Sequence, residues 1–230
     1  MKFMVHGSPS VVSDRARFAG SPMREIITDQ TGYESPAAPR RERRIEPREV
    51  ALWLDAHRGV LVQRWLSEVS ARVSEDDEHS RALLGDFFEF LAALLRDSMG
   101  PQREQVDVLW RQTAELYGNV GAMRGLAAGE IIEEFQFLRD ALIRLLYTNP
   151  PPGGLVRVSL RDVLRVNRFI DRGVTHASIG HTDSLFFAHF QGTGVPERLT
   201  ADLVDEVRRQ LMAIEVEYAA LRRRLVTLDD

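Results

Sequence analysis

Residues 117–147 read YGNVGAMRGLAAGEIIEEFQFLRDALIRLLY, and this stretch decides the fold. At 100° per residue, Ile131, Phe135, Leu138, Leu142, Leu145 and Leu146 gather on one arc. Glu134 stands on one border of that arc, Arg139 on the other, and Glu133 points outward. The spacing predicts a helix from about Ala128 to Tyr147. Gly118, Gly121, Gly125 and Gly129 fit neither a dinucleotide fingerprint nor a Walker loop, and no strand precedes them. They read as a tight helix junction, with Gly118 ending the helix before it.

Working upstream, Pro101 starts that preceding helix, which turns Val106, Leu109, Trp110, Thr113, Leu116 and Tyr117 inward. Leu83, Leu84, Phe87, Phe88, Leu91, Leu94 and Leu95 make another, ending near Gly100. A first helix begins at Pro47, a residue suited to an opening turn. Its stripe of Val50, Leu54, Leu61, Trp65 and Val69 runs to about Val73, where the acidic turn Ser74–Asp77 follows. His57 falls on this stripe as a core histidine. Residues 1–46 carry repeated Gly and Pro and keep no period, so a disordered leader is expected.

Downstream, residues 149–154 (NPPPGG) break the chain, and Ser159 is the expected N-cap of a long helix reaching about Phe190. Its expected inward arc holds Leu160, Val163, Leu164, Ile170, Val174 and Leu185, together with Asn167, Asp171, Ser178, His181 and His189. Beyond the linker Gln191–Pro196, the apolar row Val204, Val207, Leu211, Ile214, Tyr218, Leu221, Leu225 and Leu228 repeats at alternating steps of 3 and 4. That heptad is either the seam of a short self-associating coiled coil or the face of a helix closing on its own bundle. The expected architecture is all-α: about five helices over 47–191, then a coiled-coil-like helix over 197–230.

Composition narrows the chemistry. Lys2 is the only lysine, against 29 arginines, so no folded domain here offers a P-loop or Schiff-base lysine. There is no cysteine, hence no disulfide, thiolate metal site or Cys nucleophile. A net charge of -4 gives no basic balance toward nucleic acid. With no apolar h-region and no run of about 20 apolar residues, a cytoplasmic chain without membrane contact is expected. Histidine spacing fits no metal triad, so neither a metal nor a cofactor is expected. The candidate polar set is Arg124, Glu134, Arg139, Asn167, Asp171 and His181. Glu134 is expected to bridge to Arg124, and Asn167 and Asp171 to reach Arg124 or Arg139. Such groups either form a buried network that sets helix register or line a small-ligand or haem pocket around Arg139, Asp171 and His181.

Residues 52–55 (LWLD) with Trp65, the segment Gly118–Arg124, residues 133–139 (EEFQFLR) and residues 167–171 (NRFID) occur in an order that resembles the N-terminal domain of RsbRD-type RsbT co-antagonist proteins. The resemblance covers about residues 50–190. It implies a helical, non-enzymatic input domain of bacterial stress signalling, of the kind set ahead of a STAS domain or a histidine kinase core. About 40 residues follow the domain here, so neither output module is expected in this chain. A homodimer, or docking on a partner helix through the heptad, is the expected mode of action.

Overall fold

The structure, a computed structural model, describes residues 45–71, 78–155 and 158–226. Residues 1–44 of the expected leader, the acidic turn Ser74–Asp77 and Leu228 lie outside them, as does the side chain of Leu225. The described residues form seven helices and no strand: α1 (Pro47–Ala56), α2 (Arg58–Ser70), α3 (Glu78–Asp97), α4 (Arg103–Met123), α5 (Ala128–Thr148), α6 (Leu160–Phe190) and α7 (Ala201–Val226).

The first predicted helix is two. Its stripe residues are all buried, but the chain bends at His57, whose backbone leaves the helical region at φ -110° and ψ 6°. The His57 ring lies against Trp53, and its Nδ1 sits 2.9 Å from the Trp53 carbonyl, in competition with the helical ladder. Gly59, a weak helix former, follows at once. His57 is therefore a half-exposed hinge residue rather than a core histidine. The bend lets Trp53 donate from Nε1 to the Asn149 carbonyl (2.7 Å) while Trp65 donates to the Glu134 carbonyl (2.6 Å).

The core is a run of aromatic rings. Trp65 stacks on Phe88 with centroids 3.7 Å apart. Phe135 meets Tyr117 edge-on at 5.7 Å, and Trp110 packs on Phe169 at 4.5 Å. Such pairs add roughly 0.5–1.5 kcal/mol each beyond their burial.

Gly118 does not end α4. The helix passes through Gly118 and Gly121 and stops at Gly125, where φ is +78°. There Leu126 N–H bonds the Gly121 carbonyl and Gly125 N–H that of Ala122, each at 3.0 Å, which is a Schellman stop. Gly118 serves packing instead: a Cβ on it would lie 1.9 Å from the Ala177 carbonyl oxygen of α6. Gly180 of α6 likewise faces the Glu115 carbonyl, where a Cβ would come within 2.0 Å. Asp107 meets Arg172, Gly118 meets Ala177 and Asn119 meets Ser184, so α4 and α6 run parallel, backbone against backbone.

This approach also corrects the phase of α6. Ser159 caps it as expected, accepting from Asp162 N–H at 3.2 Å. Its inward face, however, carries Val166, Phe169, Ile170, Gly173, Ala177, Gly180, His181 and Ala188. Leu160, Leu164, Leu185, Asp171 and His189 are exposed. The exposed leucines were the wrong guide, because at Gly173, Ala177 and Gly180 the space beside α4 admits only small residues.

Candidate functional site

The six polar residues named from the sequence fall in separate places. Glu134 and Arg124 form the expected salt bridge, with Arg124 donating from Nη2 to Oε1 at 2.9 Å and from Nη1 to Oε2 at 3.2 Å. Tyr117, which sequence reasoning treated only as core, donates its hydroxyl to the same carboxylate. Local geometry places all three. Tyr117 lies on the buried face of α4, Arg124 is the residue at its C-cap, and Glu134 lies two turns into α5. The turn between is short, and Glu130 closes it by accepting Ala127 N–H at 2.7 Å. Burial pushes the Tyr117 phenol well above its usual range, and the Glu134 carboxylate beside it adds to this. For Arg124 burial acts downward, but Tyr117 and Glu134 outweigh it and hold the guanidinium more firmly charged.

Arg139 pairs with Asp171 across α5 and α6, at the surface rather than inside. His181 is buried ten residues along α6 from Asp171, about 15 Å by helical rise. Its Nε2 lies 2.8 Å from the Leu126 carbonyl, and its Nδ1 has no hydrogen-bond partner among the described residues. Asp171, His181 and Arg139 therefore do not line one pocket. Asn167 is half-buried at the edge of an inner space of about 30 Å³ beside Trp53 and Leu142. That is room for about one water, far below the 300 Å³ or more of a ligand site. His176 instead pairs with Glu115 at 2.6 Å. Among the described residues no group of three His, Asp or Glu could hold a metal ion, and no helix is long and apolar enough to cross a membrane.

The heptad seam of α7 faces its own chain. Val204, Val207, Leu211 and Tyr218 are buried, and Ile214 and Leu221 are half-buried against α3 and α4. Of the two readings of the heptad, the helix closing on its bundle is the one adopted. Polar contacts rim this seam. Arg208 reaches Asp86 at 3.0 Å, and Tyr218 donates to Asp97 at 2.7 Å, with Arg222 3.7 Å from the same carboxylate. Burial raises the Tyr218 pKa, helped by Asp97, and burial beside Asp86 raises that of Glu215. The linker turns at Gly192 and Gly194, both at positive φ, and is pinned by Leu199 N–H on the Met123 carbonyl at 3.3 Å.

A further feature was missed from the sequence. Arg103 and Arg111 on α4 and Arg161, Arg165, Arg168 and Arg172 on α6 line a groove of about 550 Å³. Two carboxylates, Glu104 and Asp107, share it. Asp107 is taken by Arg172 at 2.8 Å and Arg111 at 3.4 Å. The signal was legible: steps of 4, 3 and 4 from Arg161 to Arg172 put four arginines on one helix face.

No family model, curated protein or solved structure matches this chain. The likeness to RsbRD-type domains therefore rests on the sequence motifs quoted above.

Proposed function

We propose that the chain is a non-enzymatic input or regulatory module of bacterial stress-response or two-component-type signalling, acting through protein–protein contact in the cytoplasm. The observation that carries this reading is the docking of α7. The apolar heptad row from Val204 to Leu221 lies on α3 and α4, rimmed by ion pairs and joined through a glycine-bearing linker. The same row fits a helix of a second copy or of a signalling partner, of STAS-domain or histidine-kinase type. Exchange between the two would bury similar apolar area in either state. A small differential affinity then decides which state is populated, which is what a switch needs. The alternative of a haem or small ligand inside the bundle gains no support from an inner space of about 30 Å³.

Light scattering of the full chain beside a chain ending at Gly194, with hydrogen exchange on the full chain, tests the proposal. A dimer that becomes monomeric on truncation supports exchange between copies. A monomer whose α7 amides open far more readily than those of α5 supports exchange onto a partner. Monomers in both, with α7 as protected as α5, would sink the reading.

A further inference from the structure

We propose that the groove between the N-terminal halves of α4 and α6 binds a chain of phosphates, the phosphoanhydride run shared by nucleoside triphosphates and inorganic polyphosphate. This inference does not depend on what α7 does.

The charge arrangement is the first argument. Among the described residues, Arg103, Arg161, Arg165 and Arg168 have no ion-pair partner, while Asp107 is already engaged by Arg111 and Arg172. Like charges three and four apart on a helix repel one another. Arg161, Arg165 and Arg168 along one face of α6 therefore leave a repulsion that an anion in the groove relieves. The guanidinium fork matches phosphate oxygens two at a time. Arg111 and Arg172 are held in place by Asp107, so part of the site is already oriented.

The second argument is the run of the helices. Because α4 and α6 are parallel, their N-terminal ends, which carry positive partial charge, lie toward the same end of the molecule as the groove. The third is size. About 550 Å³ falls within the range of small-molecule sites. From Arg161 to Arg172 the helix rises about 16 Å, enough for several successive phosphates. Walls from two helices and an overall charge of -4 favour a short anion over a long nucleic acid, which would need a basic surface well beyond the groove.

Calorimetric titration of the full chain at about 0.15 M salt with tripolyphosphate, ATP, orthophosphate and a short single-stranded DNA tests this. Both tripolyphosphate and ATP are expected to bind at least about tenfold more tightly than orthophosphate. The Arg165→Glu/Arg168→Glu double variant should lose about tenfold or more of that affinity, and Arg144→Glu on α5 should keep it. Circular dichroism of the double variant checks that it is folded, and Arg161→Gln, at an exposed position, gives a milder second reading. Equal affinity for tripolyphosphate and ATP assigns recognition to the phosphate chain alone. Tighter ATP binding adds a contact to the nucleoside. Three results would overturn the proposal: affinity no better than for orthophosphate, an unchanged double variant, or DNA binding more tightly than either phosphate chain and lost in the double variant.

Discussion

Tyr117, Arg124 and Glu134 are three polar side chains in one dry place, and the turn between α4 and α5 depends on all of them. Arg124→Met would strip Glu134 of its cation and leave a buried carboxylate with only the Tyr117 hydroxyl. A loss of about 3 kcal/mol in urea unfolding is expected. Pairing Arg124→Met with Glu134→Leu should recover part of it, since no charge then remains buried. Tyr117→Phe removes one donor to the carboxylate and should cost about 1–3 kcal/mol. It should also change the alkaline side of the stability profile. The folded-state pKa of Tyr117 is raised above its ordinary value of 10.0, chiefly by burial and then by Glu134. A raised pKa contributes stability that is present below pH 10 and is lost as pH climbs above it toward the folded value. Unfolding free energy measured against pH should therefore fall less steeply above pH 10 in the Phe variant than in the parent. It will not become flat, because the Tyr218 pKa is raised as well.

Among the elements, the glycines of α4 and α6 decide how closely the two helices lie. Gly118→Ala would set a methyl 1.9 Å from a backbone carbonyl of α6, which only a shift of the whole helix relieves. A loss of about 3 kcal/mol or more is expected, at the upper end of overpacking costs. Gly85→Ala in α3 meets nothing within 4 Å and should stabilise by about 0.5–1 kcal/mol. Thermal melts of the two variants should move in opposite directions. The same contrast explains what was legible in the sequence. The inward faces of α4 and α5 carry large apolar side chains at helical spacing, and Trp110, Tyr117, Phe135 and Leu138 are buried where the pattern put them. The pattern failed where burial belongs to small residues. Gly173, Ala177 and Gly180 carry little hydropathy, so α6 was turned toward Leu160 and Leu185 and Asp171 and His189 were expected inside, where the structure leaves them exposed. Both expected ion pairs form, Glu134 with Arg124 and Asp171 with Arg139, but only the first is buried, because Glu134 lies on α5, whose phase was right, and Asp171 on α6, whose phase was not. The bend at His57 left no mark on the apolar stripe, because seven residues from Leu54 to Leu61 keep the same face on either side of it.

At the scale of the whole molecule, α7 is attached to the body formed by α1–α6 through a single apolar row, and this sets how the chain should come apart. Leu211 sits in the middle of that row, 3% exposed. Leu211→Asp removes about 2–3 kcal/mol of apolar burial and also places a carboxylate on an apolar face. The rim pairs are the exposed Arg208 with Asp86, which contributes at most about 1 kcal/mol, and the long 3.7 Å contact of Arg222 with the half-buried Asp97, together too little to hold the helix down. The body keeps its own core, since the aromatic run from Trp65 through Phe135 to Phe169 takes no residue from α7. Hydrogen exchange on the Leu211→Asp variant should therefore show fast exchange over residues 201–226 while α4 and α5 stay protected, the signature of a sub-global opening. The urea m-value for the remaining transition should be smaller than that of the parent, because the surface under α7 is already exposed before the body unfolds. If instead α4 and α5 lose protection together with α7, the last helix belongs to the same cooperative unit as the core, and it could not exchange onto a second chain without the body unfolding.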